Sequence, residues 1–198
     1  MNNTNNAEET KKSFISGAFD YLEILIFAAA AVLLLFLIAF RLCVVDGNSM
    51  KNTLLNSETL IVSDLAYTPE NGDIIVFHEI GPVYNEALVK RVIATEGQWI
   101  SIIYDEHNVM KVYVSDDRYI DENDLLNEPY VYYDPARLPG YSSFDPIQVP
   151  DGCVFVMGDN RYDSTDSRSP LIGFVDERQI LGKVLLRVTP LSKFGAVN

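Results

Sequence analysis

Hydrophobic positions fall into two regimes along this chain. From Ile24 to Phe40 it reads ILIFAAAAVLLLFLIAF, 17 apolar residues with no polar face. At 1.5 Å per residue that is about 26 Å of helix. Leu22 and the stretch Leu42–Val45 extend it to bilayer thickness, and Arg41 can snorkel outward. A buried core helix would carry a polar stripe. A cleaved leader would have a shorter apolar run and a small-x-small site, whereas Phe40-Arg41-Leu42-Cys43 is bulky and charged. The pattern predicts an uncleaved transmembrane helix at 21–41, preceded by a polar, Asn-rich tail at 1–20 expected to be disordered. Lys11 and Lys12 on one side balance Arg41 and Lys51 on the other, so charge does not set the orientation.

Beyond residue 41 the pattern shortens to that of strands. Runs rich in Val, Ile, Phe and Tyr fall at 59–63, 73–77, 88–95, 98–104, 110–115, 153–157 and 180–188. Turn signals such as Glu70-Asn71-Gly72-Asp73 and Pro150-Asp151-Gly152 separate them. Single helical turns are expected near 122–126 and 175–180. The predicted class is mainly β: a core at 42–104 and 150–190, with an inserted subdomain at 105–149. Residues 105–151 hold 11 acids against three bases, interleaved with tyrosines. They read as a solvated surface, with no calcium-loop spacing.

The 198 residues are 48% apolar and 22% charged, which suits a packed core and excludes global disorder. A net charge of −13 makes nucleic acid an unsuitable partner. Cys43 and Cys153 are too few for a disulfide scaffold. His78 and His107 are the only histidines, which leaves little room for a histidine triad or a zinc site. No metal or organic cofactor is expected.

A nucleophile that does not need histidine is the alternative. Ser49 lies in Val45-Asp46-Gly47-Asn48-Ser49-Met50, where Gly47 permits close backbone approach. Lys90 lies in Ala87-Leu88-Val89-Lys90-Arg91-Val92-Ile93, flanked by apolar residues. A lysine at its reference pKa of about 10.4 is protonated at neutral pH and cannot act as a base. Burial disfavours the charge and lowers that pKa. Spacing alone leaves this pairing as one among many serines and lysines.

Four blocks in order behind the anchor resemble the bacterial type I signal peptidases, membrane-anchored serine proteases with a serine–lysine dyad. They are Gly47-Asn48-Ser49-Met50 through Leu54, Gly72-Asp73-Ile74-Ile75-Val76-Phe77, Lys90-Arg91-Val92-Ile93, and Met157-Gly158-Asp159-Asn160-Arg161 with Ser164, Asp166-Ser167-Arg168 and Gly173. The resemblance implies Ser49 as nucleophile, Lys90 as general base and Ser164 as the hydroxyl that orients the lysine amine. It implies the Ser49 N–H as oxyanion donor, without the second, side-chain donor that some members carry at the position of Gly47. Asn52 stands where proline is usual. Glu96 departs from the small or apolar residues usual there, and an acid beside the lysine would raise its pKa. Arg91, Asp159, Asp166 and Arg168 are expected to form ion pairs, Asp159 with Arg91 and Asp166 with Arg168. Cys43 is expected to be an apolar neighbour of the site.

The resemblance further implies shallow pockets from Val45, Gly47, Met50, Leu54 and Val89 that accept small residues at −1 and −3 of a secretory preprotein. Eight residues between Phe40 and Ser49 reach about 30 Å at most, so the nucleophile would work near the bilayer; the resemblance alone implies its extracytoplasmic face. Self-cleaving repressors share a serine–lysine site but carry a DNA-binding domain where this chain has an anchor. The histidine-using signal peptidases lack the Lys90-Arg91 pair. A catalytically silent, membrane-tethered binding or assembly module of the same fold is the alternative from a different class. The retained Ser49, Lys90 and Ser164 argue against it.

Overall fold

The computed structural model describes residues 2–80, 85–134 and 137–197. It divides into two units, one ending at Phe40 and one beginning at Arg41. The first is helix α1, Asn2–Ala39. Helix therefore begins at Asn2 and takes in the polar segment expected as a disordered tail; that segment has no proline and no glycine before Gly17 to interrupt a helix once nucleated. Tyr21–Ala39 has a mean hydropathy of 2.9, is long enough to cross a membrane, and none of it is buried.

The second unit is mainly β. Its strands are β1 Arg41–Val44, β2 Thr59–Ser63, β3 Ile74–Ile80, β4 Asn85–Ala94, β5 Trp99–Tyr104, β6 Met110–Ser115, β7 Phe144–Gln148, β8 Cys153–Met157, β9 Val175–Asp176, β10 Ile180–Thr189 and β11 Gly195–Ala196. Single 3₁₀ turns stand at Glu122–Asp124, Glu177–Gln179 and Leu191–Lys193. The main sheet runs β1-β2-β10-β3-β4-β8-β9, with β11 beside β10; a second sheet runs β6-β5-β7.

Four strands lay outside the sequence expectation, the two-residue β9 and β11 among them. Arg41–Val44, read as the end of the apolar span, pairs with β2 from Arg41↔Val62 to Val44↔Thr59. β7 contains Asp145 and Pro146, but it is an edge strand, where a missing N–H is tolerated. Because β5 belongs to the core segment and β6 and β7 to the insertion, the insertion completes a sheet begun by the core.

Three apolar clusters fill the interior. One lies under the loop that follows β1 (Val45, Met50, Leu54, Leu60, Val62, Ile74, Val76, Val184). A second packs Ile75 and Phe77 against Val92, Val154 and Val156. A third joins Ile93, Phe155 and Met157 to Ile100, Ile102 and Val112 of the smaller sheet. β4 changes partner along its length. Asn85–Lys90 pairs with β3 alone, Arg91 pairs with both β3 and β8, and residues 92–94 pair with β8.

Candidate active site

Ser49 sits on a loop joining β1 to β2. The loop neck is closed by hydrogen bonds from Val45 N–H to Glu58 O at 2.9 Å and from Ser57 N–H to Val45 O at 2.8 Å. Val45, Met50 and Leu54 anchor it from below, each buried in the same apolar cluster. Glu58, buried at the neck, accepts from Arg187 at 2.8 Å, Lys193 at 3.3 Å and the Leu55 N–H at 3.1 Å. Gly47, with φ +95°, makes the reversal before Ser49, and its N–H donates to Asn56 Oδ1 at 2.9 Å. That backbone region is open to glycine at no steric cost.

Lys90 reaches the same point from β4. Its Nζ donates to Ser49 Oγ at 2.9 Å and to the Val89 carbonyl at 3.0 Å. The residue is only 3% exposed. Burial pushes the amine down to about 8, against the opposing pull of Asp166 and Glu86 and with the help of Arg168. Glu96 takes no part in this. Its carboxylate accepts the Gly152 N–H at 2.7 Å, serving the turn before β8.

The Gly158–Asn160 turn fixes Ser49 from a third side. Asn160 N–H donates to the Ser49 carbonyl at 2.9 Å, and Asn160 Nδ2 to the Asn48 carbonyl at 3.2 Å. The turn passes so close that a Cβ on Gly158 would lie 2.5 Å from the Ser49 carbonyl oxygen and 2.3 Å from Ser164 Oγ. No side chain fits there. Ser164 Oγ is buried beside this turn and makes no hydrogen bond of normal geometry, although it lies close enough to Asp166 to help hold that acid's pKa down. The bond from Ser164 to the Lys90 amine that the resemblance implies is not made.

The charged motif residues form buried pairs. Arg91 clasps Asp159 through Nε at 2.9 Å and Nη2 at 2.8 Å, and Thr53 donates its hydroxyl to the same carboxylate. Arg168 clasps Asp166 through two contacts of 2.8 Å, and the Gly158 N–H donates to Asp166 at 2.9 Å. Burial alone would raise the Asp166 carboxyl; the Arg168 guanidinium, together with the Gly158 N–H and Ser164, outweighs it and holds it low. Each bidentate pair ties the turn carrying Asn160 to the rest of the fold.

Sequence reading missed the strap across this turn. Residues 128–133, expected as solvated insertion, pair along it: Tyr132 N–H donates to Asp159 O at 2.8 Å and Arg161 N–H to Tyr132 O at 3.0 Å. Glu128 accepts both terminal nitrogens of Arg161, which is 1% exposed. The Tyr130 ring covers the Arg91 guanidinium at 3.8 Å, and Tyr141 covers Arg168 at 4.7 Å. A buried arginine in the motif demands an acid, but the sequence offers 11 in that segment and no way to choose among them.

A cleft of about 310 Å³ opens on the pair, lined by residues 44–47, Ser49, Met50 and residues 86–90. Val45, Gly47, Met50 and Val89 belong to it; Leu54, also expected there, is fully buried below. Cys43 packs beside this cluster, and burial pushes its thiol up. A larger cleft of about 530 Å³ on the smaller sheet, with Ser101, Ile103 and Phe144 in its wall, contains no lysine or histidine.

The family model for signal peptidase, peptidase S26, matches residues 18–189. A signal peptidase I P from Bacillus subtilis subsp. natto is 34% identical, covering 94% of this chain and 95% of that one. A signal peptidase I from Bacillus caldolyticus is 37% identical over 84% of this chain and 89% of its own. A probable signal peptidase I-1 from Synechocystis is also 37% identical, covering 78% and 74%. A crystal structure of a signal peptidase I from Enterococcus faecalis is 25% identical with a TM-score of 0.44, covering 59% of this chain and 97% of that one. The chain belongs to the signal peptidase family, peptidase S26, and is a peptidase.

Proposed function

We propose that this chain is a membrane-anchored serine endopeptidase that removes signal peptides from secretory preproteins after small-x-small sites. Ser49 is the nucleophile and Lys90 the general base. The observation that carries the reading is the 2.9 Å approach of a buried Lys90 amine, poised near 8, to the Ser49 hydroxyl. In its neutral form Lys90 accepts the hydroxyl proton as Oγ attacks the scissile carbonyl. The same proton passes to the leaving amine as the C–N bond breaks, leaving an acyl group on Ser49. Water, giving its proton to Lys90, then attacks the acyl carbonyl; the ester C–O bond breaks, and Lys90 returns the proton to Ser49 Oγ. The Ser49 N–H, which has no acceptor among the described residues, is the oxyanion donor.

The substrate lies as an added strand along the open edge of Asn85–Lys90, facing residues 44–47. The narrow floor of Val45, Met50 and Val89 accepts alanine or glycine at −1 and −3. α1 is the anchor, and the catalytic unit faces the extracytoplasmic side. Ser164 supports the site by packing against the Gly158 turn and Asp166 rather than by touching the amine.

The test is cleavage of a fluorogenic precursor peptide with Ala at −1 and −3 by the purified chain. Ser49→Ala and Lys90→Ala should each lower turnover at least 10³-fold, on the scale of lost nucleophiles and bases, with circular dichroism unchanged. Near-normal turnover by Lys90→Ala would remove the dyad assignment.

A further inference from the structure

Asn160 is fully buried on the motif turn, and only one end of its amide is used. Nδ2 donates to the Asn48 carbonyl at 3.2 Å. Oδ1 is buried as well and has no hydrogen-bond partner among the described residues. Turned the other way round, the amide would set Oδ1 against the Asn48 oxygen, acceptor against acceptor, so the donor is the end that faces the loop. A buried oxygen left unmatched lowers stability, and an apolar side chain of the same shape would avoid that loss. What the asparagine adds over such a side chain is its one donated bond.

That bond falls on the peptide unit that carries the Ser49 N–H. The carbonyl of residue 48 and the N–H of residue 49 belong to one planar group and, in the trans form, point in opposite directions. The Asn48–Ser49 bond is trans. Holding the oxygen toward the motif turn therefore aims the hydrogen away from it, to the side where the cleft opens; Ser49 lines that cleft and Asn160 does not. Lys51 N–H also reaches the Asn48 oxygen, at 3.1 Å, but from within the same loop, so it ties the loop only to itself. Asn160 ties the loop to the fold, because its neighbours Asp159 and Arg161 are locked in buried pairs with Arg91 and Glu128. The Asn160 N–H separately donates to the Ser49 carbonyl, so its backbone fixes one side of Ser49 and its side chain the other. Gly47, on the cleft wall, has no side chain to offer, and its N–H is given to Asn56 Oδ1 at 2.9 Å.

We infer that Asn160 is a positioning residue for the oxyanion donor: through the Asn48 carbonyl, its side chain aims the Ser49 N–H at the oxygen of the scissile carbonyl. The inference rests on the proposed peptidase reading and adds to it a residue outside the dyad. As Oγ attacks, the carbonyl π pair moves onto that oxygen, and a donor aimed there stabilises charge that the bound substrate does not yet carry. Losing the aim should slow turnover without weakening substrate binding. Acylation and deacylation pass through an oxyanion at the same place, so both slow together and KM stays. Asn160 is uncharged and is not among the groups that shift the Lys90 amine, so the pH midpoint near 8 should stay as well.

The test compares the full chain in detergent with Asn160→Leu, which keeps the shape and removes the donor, and with Asn160→Ala. On the precursor peptide, kcat should fall about 10- to 100-fold in both, somewhat less than for a donor removed outright. KM should stay within about threefold, with the pH midpoint unmoved. A peptide aldehyde separates aim from folding. Ser49 Oγ adds to its carbon, the hydroxyl proton goes to Lys90 and the aldehyde oxygen becomes the anion, whereas the matching peptide alcohol cannot react. The ratio of aldehyde to alcohol affinity should fall with kcat in each variant, and such a ratio is indifferent to how much of the protein is folded. An unchanged ratio, a loss carried by KM, or a shifted pH midpoint overturns the inference while leaving the peptidase intact. So does loss of cooperative melting in both variants, which would make Asn160 a residue of the fold alone. Failure of the wild-type chain to cut the peptide removes the peptidase reading and the inference with it.

Discussion

Lys90 is costly where it stands, and the site depends on that cost. Lowering its pKa from the reference value to about 8 corresponds to roughly 3 kcal/mol of disfavoured charge. In return a useful fraction of the amine is neutral near physiological pH. The direction of the pH dependence follows. Below about 8 the amine is protonated and cannot accept the Ser49 proton; above it the amine is free. The log of kcat/KM should therefore rise with a slope of about one as pH climbs toward 8 and level off beyond it, as read from initial rates on the precursor peptide. A rate unchanged down to pH 5 would exclude a lysine base. Ser49 and Lys90 were legible as a pair from their neighbouring motif residues. The work of Asn160 was not: its bonds to the Ser49 and Asn48 carbonyls span more than a hundred residues of sequence.

The strap at 128–133 and the motif turn at 158–161 behave as one element drawn from two distant segments. Their backbones exchange hydrogen bonds, and Glu128 neutralises an arginine with almost no access to water. Breaking one half of such a buried pair leaves an uncompensated charge, which costs about 3–5 kcal/mol. Glu128→Ala should lower unfolding stability by that order in urea titration and reduce turnover along with it, while Glu122→Ala, on the exposed 3₁₀ turn of the same insertion, should change stability by less than about 0.5 kcal/mol. The strands of the core were readable because Val, Ile and Phe cluster where a sheet buries both faces. β1 and β7 were not, because one borrowed the composition of the anchor and the other carries a proline that only an edge permits.

Across the whole molecule, the burial is concentrated in one unit. Every buried apolar residue among those described lies between Val45 and Val184, while the apolar side chains of Tyr21–Ile38 that are described stay exposed. The chain from Arg41 onward should therefore fold cooperatively without α1 and still cut a soluble precursor peptide, while losing sedimentation with membranes. Aggregation or a non-cooperative melt of that truncated chain would show that the helix contributes to the core. An apolar run of bilayer length, a β-rich remainder and the motif blocks are properties of neighbouring residues, so order along the chain was enough to reveal them. Which acid answers which arginine and where Ser164 points depend on contacts between segments far apart in sequence. Local pattern carries no information about such distances; they exist only once the sheets have closed around the site.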